Sequence, residues 1–244
     1  MEKIYYDFHI HSCLSPCGDN DMTPNNIVNM AMLNGLNCIA ITDHNSILNC
    51  KAVTELGKKA GITVLPGMEL ETSEEVHILC LFSCIENAQK FADYVFSKMS
   101  KIKLKKEIFG EELIMNEKDE ILYELDFLLN VASEISCDEV SKIVRGYEGI
   151  AIPAHVDKPA NSIIANLGFI TEDMGFSAVE YSKNCTQDFL KKNEYLKKYN
   201  FIKNSDAHYL WDIKEKKDCI YVEKNTPEEI IKYLLNHNNK SYSE

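Results

Sequence analysis

The sequence predicts an α/β fold with a mainly parallel sheet, closed into a barrel rather than left open. Short apolar segments rich in β-branched residues alternate with amphipathic segments of helical period, and about seven such units follow one another along the chain. The chain has 244 residues, of which 45% are apolar, and this suits one domain with a sizeable core. We therefore expect a single domain over residues 1–244.

The first four strands are predicted from short apolar runs that end in polar or turn-forming residues. A helix follows the first strand, with Thr23 as its N-cap and Pro24 at its first position, and a second helix stops at Gly61. If the polar turn at residues 71–75 closes a hairpin, the fourth strand runs antiparallel to the third. The strands are predicted at residues 4–8, 38–41, 62–65 and 76–82, and the helices at residues 24–35 and 48–60.

The later part of the chain is predicted to be helical before strands return. From residue 86 to about 147 the pattern is helical, with breaks near residues 109–110 and 136, and it contains no histidine. We interpret this segment as helices that pack on the barrel or cap it. Further strands are predicted at residues 149–153, 176–181, 201–204 and 219–222, with a helix between each pair and a last helix at about 227–236.

Histidines and carboxylates gather at the predicted strand ends. His9 and His11 are two residues apart on one strand, so both imidazoles face the same side and can reach one ion. The other candidates also lie at the edge where parallel α/β folds collect their chemistry, although His77 reaches it only if the hairpin forms. The full set is His9, His11, His44, Glu69, His77, His155, Asp206 and His208, whereas His237 is predicted to be a surface residue of the last helix.

This donor set indicates a metal centre. Imidazole and carboxylate together suit zinc, manganese or iron better than calcium or magnesium, which prefer oxygen ligands alone. The candidates exceed what one ion can use, since a catalytic zinc takes about three protein ligands, so more than one divalent ion is predicted. Closely spaced ions can convert a bridging water into a nucleophile and neutralise charge on a phosphoryl group.

Several motifs resemble the PHP (polymerase and histidinol phosphatase) superfamily. The resemblance implies a distorted (β/α)7 TIM-like barrel, a centre of two or three metal ions and phosphoesterase activity. The motifs occur in the family's order, as His9-Ile10-His11-Ser12, Asp19-Asn20-Asp21-Met22-Thr23-Pro24, Ile41-Thr42-Asp43-His44, Gly67-Met68-Glu69, Val76-His77, Ala154-His155 and Ser205-Asp206-Ala207-His208.

Carried over by position, the resemblance implies three metal sites. His9, His11, Glu69 and Asp206 would hold the first ion, and Glu69 would bridge to a second ion held by His77 and His155. Asp19, His44 and His208 would hold the third. The loop departs from the family's pattern because Pro16-Cys17-Gly18 intervenes before the acidic residue, and Asp21 is a rival to Asp19.

Other polar residues near these motifs have two interpretations each. Asp43 is either a ligand or, as we favour, a carboxylate that orients a neighbouring imidazole. Cys13 and Cys17 lie in the loop after the first strand, and we predict incidental thiols rather than ligands, because their spacing does not resemble a cysteine metal cluster.

The candidate catalytic residues are Asp206, His208, Lys158 and Lys183. Asp206 can handle a proton, and the two lysines can hold phosphoryl oxygens because each follows a predicted strand. A solvated surface role is an equal alternative for each lysine, and Arg145, on a helix before its strand, is the weakest candidate for an anion clamp.

Composition narrows the substrate and the location. The net charge of -12 argues against a broad basic face for extended nucleic acid. The absence of a signal segment and of a long apolar run leads us to expect a cytoplasmic protein with no membrane contact. We expect a metal-activated hydroxide to hydrolyse phosphate esters of a small molecule or nucleotide. The alternatives are a non-catalytic metal-binding regulatory module and a nuclease acting on short oligonucleotides.

Overall fold

The structure is a computed structural model that describes residues 1–236 and 242–243. His237, predicted on the surface of the last helix, lies outside the described residues. The strands are β1 (Glu2–Ile10), β2 (Cys38–Ile41), β3 (Thr63–Glu71), β4 (His77–Phe82), β5 (Leu113–Met115), β6 (Ile121–Glu124), β7 (Gly149–Pro153), β8 (Ala178–Tyr181), β9 (Asn200–Lys203), β10 (Asp218–Val222) and β11 (Tyr242–Ser243). The helices are α1 (Pro24–Leu33), α2 (Cys50–Ala60), α3 (Ile85–Ser97), α4 (Lys106–Phe109), α5 (Cys137–Gly146), α6 (Ile163–Leu167), α7 (Gln187–Lys192) and α8 (Pro227–Leu235).

Seven strands form one curled, half-barrel sheet in the order β11-β10-β1-β2-β3-β4-β7. The neighbours β1, β2 and β3 are parallel, and the remaining pairs of this sheet are antiparallel. The parallel strands β8 and β9 form a separate two-stranded sheet. The α/β class is confirmed, whereas a complete (β/α)7 barrel is not confirmed by the described residues.

The connection from β9 to β10 explains one departure from strict alternation. The sequence predicts a helix there, but residues 204–217, all of which the structure describes, contain a 3-10 turn at Leu210–Asp212 and no α-helix. Strand β10 then runs antiparallel to β1. The start of this connection bonds to the end of β1, since the His11 amide donates to the Ala207 carbonyl at 2.9 Å.

The predicted hairpin between the third and fourth strands is confirmed. Strands β3 and β4 pair antiparallel, with Glu71 opposite His77 and Glu69 opposite Leu79. The start of β4 therefore lies beside the end of β3. This pairing brings His77 to the edge of the sheet where β1 and β2 end.

The prediction of helix throughout residues 86–147 is wrong in its middle. Helices α3 and α5 lie at its ends, but the segment between them holds the short helix α4 and the antiparallel hairpin of β5 and β6. Long-range contacts account for the extended backbone. The side chains of Leu113 and Met115 pack with buried Cys13, and the Asn49 side chain accepts a hydrogen bond from the Met115 amide at 2.9 Å. A role for this segment as a cap over the site stays a prediction.

The helix ends follow from local sequence as expected. The Thr23 hydroxyl accepts a hydrogen bond from the Asn26 amide, with Pro24 at the first position of α1. Gly61 ends α2 in the left-handed conformation, with a φ of 76°. Within the described part of the chain, no helix is both long and apolar enough to cross a membrane.

Alternate side chains of the strands pack together inside the curled sheet. This inner core draws on the seven-stranded sheet, on the β8–β9 sheet and on α8. It includes Tyr6, Phe8, Leu65, Leu79, Ile152, Ala178, Ile202 and Leu234. The opposite faces of the same strands pack against α1, α2, α3 and α5. The inner core is apolar, so polar inward residues are confined to the strand ends above it.

A register shift in β1 decides which face its histidines occupy. Asp7 pairs with Ile39 and Ile10 with Ile41, so β1 has one extra residue in this interval. Before the bulge, the side chains of Tyr6 and Phe8 belong to the inner core. After it, Ile10 belongs to the core on the opposite face of the sheet, which packs against the helices. The bulge therefore turns His9 and His11 inward above Phe8.

Gly67 provides space beneath the site, and its substitution is expected to destabilise the fold. A Cβ at this position would lie 2.7 Å from both the Cys80 carbonyl oxygen and Leu81 Cδ2. We expect Gly67→Ala to lower the free energy of unfolding by about 1–3 kcal/mol, because β4 and Leu81 must shift. Urea denaturation of metal-free protein measures the change.

Gly146→Ala is the matched control for this substitution. Gly146 is the last residue of α5, and among the described residues a Cβ there meets nothing within 4 Å. Alanine in a helix is expected to leave stability unchanged or to raise it by roughly 0.5–1 kcal/mol. Equal stabilities of the Gly67→Ala variant and the wild type would contradict the close approach of β3 and β4.

Candidate metal centre

Six imidazole rings lie side by side at the strand ends above the inner core. Neighbouring ring centroids are between 4.2 and 5.8 Å apart. Five of the rings are buried and His208 is partly exposed. The rings belong to His9, His11, His44, His77, His155 and His208. The structure thus brings together the histidines that the sequence separates by up to 199 positions (208 − 9).

His9, His11, Glu69 and Asp206 form the first candidate ligand group. The Nε2 atoms of the two histidines are 3.2 Å apart, and His9 Nε2 is 3.2 Å from Glu69 Oε1 and 3.3 Å from Asp206 Oδ1. His11 Nε2 lies 3.3 and 3.4 Å from oxygens of the same two carboxylates. Ligands 2.0–2.2 Å from a tetrahedral ion are roughly 3.3–3.6 Å from one another, so these separations fit a bound ion.

Glu69 is shared between this group and the remaining histidines. Its Oε1 atom is 3.0 Å from His77 Nδ1 and 3.1 Å from His155 Nε2, and its Oε2 atom is 3.3 Å from His44 Nδ1. Glu69, His44 and His77 form a second candidate group, with His44 in the place predicted for His155. His155 contacts Glu69 but, among the described residues, belongs to none of the candidate groups. One carboxylate in contact with both groups is the arrangement that a bridging ligand requires.

The charges of the centre favour a cation within it. Burial raises the pKa of Glu69, but the surrounding imidazoles outweigh it and hold this pKa well below its usual value. Burial lowers the pKa of His9, yet Glu180, Glu69 and Asp206 raise it well above its usual range. The buried Nδ1 of His44 has no hydrogen-bond partner. The residues present therefore fit divalent metal ions, which would replace protons among these donors.

Glu180 orients His9 and was missed by the sequence reasoning. Both of its carboxylate oxygens are 3.0 Å from His9 Nδ1, so the Nε2 lone pair of this ring faces the first group. Glu180 also accepts hydrogen bonds from the His155 amide and from Asn204 Nδ2, both at 2.7 Å. The available signal was an acidic residue within the otherwise apolar strand β8.

Asp43 orients His11 through a serine. His11 Nδ1 lies 3.0 Å from Ser15 Oγ, which donates to Asp43 Oδ1 at 2.7 Å. Asp43 also accepts hydrogen bonds from the amide and hydroxyl of Ser12. Among the described residues Asp43 belongs to none of the candidate ligand groups. This geometry supports an orienting carboxylate rather than a ligand.

Two candidate ligands have left-handed backbone conformations. The φ angles are 29° for His155 and 54° for Asp206, a region that non-glycine residues rarely adopt. The surrounding structure holds both turns: Glu180 accepts from the His155 amide, and Asp7 accepts from the Ser205 amide at 3.0 Å. Backbone strain of this kind persists where the surroundings enforce it and is concentrated at functional sites.

The loop after β1 contributes a third candidate group that differs from the prediction. Cys17 Sγ lies with ring nitrogens of His11, His44 and His208, all within 4.8 Å of one another. Asp19 instead accepts a hydrogen bond from the Asp21 amide at 2.9 Å, and its own amide donates to the His208 carbonyl. In the described part of the chain, neither Asp19 nor Asp21 joins a candidate group.

A model of one protein family covers these motifs as far as His155, but not Asp206 and His208. It is described as PHP domain and matches residues 7–160, which is more than half of the chain. The chain belongs to the PHP family. Members of this family are metal-dependent hydrolases, so the clustered imidazoles and carboxylates agree with what the family requires.

Relatives of this PHP chain include an uncharacterised protein and an enzyme of named activity. It is 25% identical over 254 aligned residues to YqxK of Bacillus subtilis (strain 168), which is uncharacterised, and the match covers 91% of this chain and 59% of YqxK. It is 32% identical over 80 residues to phosphoribosyl 1,2-cyclic phosphate 1,2-diphosphodiesterase of Eggerthella lenta, covering 31% of this chain and 29% of that enzyme. The chain thus spans under two thirds of the length of these relatives.

Solved structures share the fold of this PHP chain. The lesion-specific endonuclease PfuEndoQ of Pyrococcus furiosus superposes with a TM-score of 0.73 at 20% identity, covering 98% of this chain and 58% of the endonuclease. An endonuclease Q complex with a 27-mer duplex substrate, which has an abasic lesion at the active site, superposes with a TM-score of 0.71. At this identity the likeness establishes the fold alone.

The predicted anion-holding residues lie in three different places around the PHP centre. The Lys158 ammonium group pairs with Asp206 Oδ2, so it lies beside the first ligand group. Lys183 pairs with Asp212 Oδ1 at 2.7 Å and lines a neighbouring groove. Arg145 donates to the Gly175 carbonyl at 2.7 Å. Lys158 is therefore the candidate in direct contact with a proposed metal ligand.

Proposed function

We propose that this chain is a metal-dependent phosphoesterase whose substrate contains a nucleobase. The observation that supports it most is the position of Glu69, one buried carboxylate in contact with the imidazoles of five histidines at the centre. His9, His11, Asp206 and Glu69 would hold one ion, and Glu69, His77 and His155 a second. Bound divalent ions would lower the pKa of a water and neutralise charge on the phosphoryl group.

The residues of the chain would position the phosphoryl group and move protons. The Lys158 ammonium group contacts Asp206 Oδ2. From this position it can donate a hydrogen bond to a phosphoryl oxygen. His208 Nδ1 lies 2.9 Å from the Asp206 carbonyl oxygen. Burial and neighbouring His11 lower the pKa of His208 to about 4, so its ring is neutral near pH 7 and offers a lone pair to an ion or a proton.

An aromatic pair that follows the ligand candidate His208 in the chain supports a substrate with a base. Tyr209 directly follows His208, and its ring stacks on that of Trp211 with centroids 4.8 Å apart. Trp211 is 76% exposed and lines a groove of about 510 Å³ together with Lys183 and Ser205, the residue before Asp206. An exposed aromatic face next to a phosphate site is the arrangement that binds unpaired nucleobases.

The surface charge and the structural neighbours bear on the length of a nucleic acid substrate. The net charge of -12 disfavours binding of long duplexes by a basic face, which supports nucleotides or short oligonucleotides. Endonuclease Q, of similar fold, was solved with a 27-mer duplex. We therefore include nuclease activity in the panel that tests the proposal.

The test is hydrolysis of a panel of esters by purified protein reconstituted with manganese, zinc or iron. The panel contains nucleoside mono- and diesters, short oligonucleotides, an abasic duplex and glycerol phosphate. We expect metal-dependent release of product from a nucleoside ester, abolished by a chelator and restored by metal. Stoichiometric metal binding without turnover on any substrate would instead support a metal-binding regulatory module.

Substitution of Trp211 tests whether a base stacks there. We expect Trp211→Ala to raise KM for the nucleoside ester by about 5- to 150-fold, since stacking on an aromatic side chain contributes roughly 1–3 kcal/mol per base. KM for glycerol phosphate should not change, and Trp211→Phe should retain most of the affinity. Initial-rate kinetics on both substrates measure the effect.

Phe169→Ala is the matched control, because Phe169 is also exposed but lines a different cavity. It should leave both KM values unchanged. A Trp211→Ala variant that binds the two substrates as the wild type does would remove the support for a base-containing substrate.

A further inference from the structure

The loop between β1 and α1 places the Cys17 thiol near His44 and His208, two histidines that are not part of the first ligand group. Cys17 Sγ and ring nitrogens of His44 and His208 lie within 4.8 Å of one another. His44 is 3% exposed, and its buried Nδ1 atom makes no hydrogen bond, although Glu69 Oε2 lies 3.3 Å away. A bound ion would satisfy this ring, because buried ring nitrogens are normally paired.

Backbone geometry fixes the position of Cys17. The chain turns directly after it, and the Gly18 amide donates to the Ser15 carbonyl at 2.8 Å. A Cβ on Gly18 would lie 2.5 Å from the Ser12 carbonyl oxygen, so the tight turn depends on glycine. Ser15 Oγ, in the same turn, contacts His11 Nδ1 and accepts from the His44 amide. One turn therefore positions both the thiol and the imidazoles.

The rival carboxylate is engaged elsewhere. Asp19 Oδ1 accepts a hydrogen bond from the Asp21 amide at 2.9 Å, a local turn that directs this oxygen onto the loop backbone. The backbone amide of Asp19 donates to the His208 carbonyl, which holds His208 against the loop. Asp19 thus positions His208 through its main chain.

We propose that Cys17, with His44 and His208, holds a third metal ion through a sulfur ligand, in place of the Asp19 carboxylate. The proposal rests on the metal centre of the proposed function. On binding, the thiol loses its proton to solvent and the sulfur donates a lone pair to the ion, with no change in oxidation state. A thiolate favours zinc or iron over manganese, so this site would differ in metal preference from the two sites linked by Glu69.

The experiment is cobalt substitution of the purified full chain, followed by absorption spectroscopy and metal analysis. Thiolate-bound cobalt(II) gives a sulfur-to-metal charge-transfer band in the near ultraviolet. We expect this band in the wild type. The Cys17→Ser variant should lack the band and should bind one equivalent of metal fewer than the wild type. Asp19→Asn should keep both the band and the metal content.

Cys84→Ser is the matched control, since Cys84 is a partly exposed cysteine at the start of α3, outside the candidate groups of the described residues. A band that persists in Cys17→Ser, or a loss of the third equivalent in Asp19→Asn but not in Cys17→Ser, would overturn the proposal. Thermal melting verifies that each variant is folded. Alkylation by iodoacetamide gives a second reading: Cys17 is exposed, so zinc should protect it in the wild type.

The result also separates this inference from the proposed function. Two bound ions without a sulfur band would leave the phosphoesterase proposal standing and would overturn the role of Cys17. A chain that binds no ion at all would overturn both.

Discussion

Glu69→Gln is expected to abolish metal binding at the first two sites and, with it, phosphoester hydrolysis. The glutamine side chain has the same shape, but it is neutral and replaces one ligating oxygen with an NH2 group that must face imidazole nitrogens. Glu69 oxygens lie 3.0–3.3 Å from nitrogens of five histidines, so no neighbouring carboxylate can substitute for all of these contacts. We expect a fall in kcat/KM on the order of 10³-fold or more.

Metal analysis after dialysis and initial-rate kinetics measure the effect of Glu69→Gln. The matched control is Glu71→Gln, the same substitution two residues further along β3. Glu71 is partly buried and, within the described chain, belongs to none of the candidate ligand groups. It should retain metal and activity. Full metal content in the Glu69→Gln variant would exclude Glu69 as the bridging ligand.

Glu180→Gln is expected to weaken metal binding by about 10- to 100-fold without removing any ligand. The carboxylate holds the His9 ring through Nδ1 and also accepts from the His155 amide, so it supports histidines of two different sites. A glutamine amide group next to His9 Nδ1 would leave one donor unpaired and let the ring turn. Competition with a chromogenic chelator measures the affinity.

Asp157→Asn is the matched control for Glu180→Gln. Asp157 accepts from the Ser182 amide at 2.7 Å and from the Ser182 hydroxyl at 2.6 Å, so it is an equivalent structural carboxylate near the end of β8. It should leave metal affinity within about twofold of wild type, because its loss affects a loop rather than a ligand. If both variants bind metal equally well, the orienting role of Glu180 is excluded.

The sequence alone predicts the ligand types and their common location for a physical reason. Parallel strands end at one edge of a sheet, so histidines after separate short apolar runs must meet there. The predicted residues of the first two sites, among them His9, Glu69 and Asp206, lie together in the structure. Their roles as ligands remain predictions that the variants above test.

Long-range contacts account for what the sequence did not predict. The sequence pattern of residues 113–124 indicates a helix, whereas in the fold this segment packs against Cys13 and bonds to Asn49 as a hairpin. Glu180 is an isolated acidic residue in sequence, and its partners His9 and Asn204 lie 171 and 24 positions away. The role of such a residue can be inferred only when the fold brings its distant partners into contact with it.

Local sequence is sufficient to predict that His9 and His11 share a face, because side chains two residues apart on a strand point the same way. The fold selects which face of the sheet they occupy. The extra residue between Asp7 and Ile10 turns both rings inward, and without it they would point to the outer face of the sheet. Likewise, the motif in the loop selects Asp19 by counting, whereas the turn at Gly18 places Cys17 among the imidazoles. Register and turn geometry depend on contacts with other strands, which local sequence does not contain.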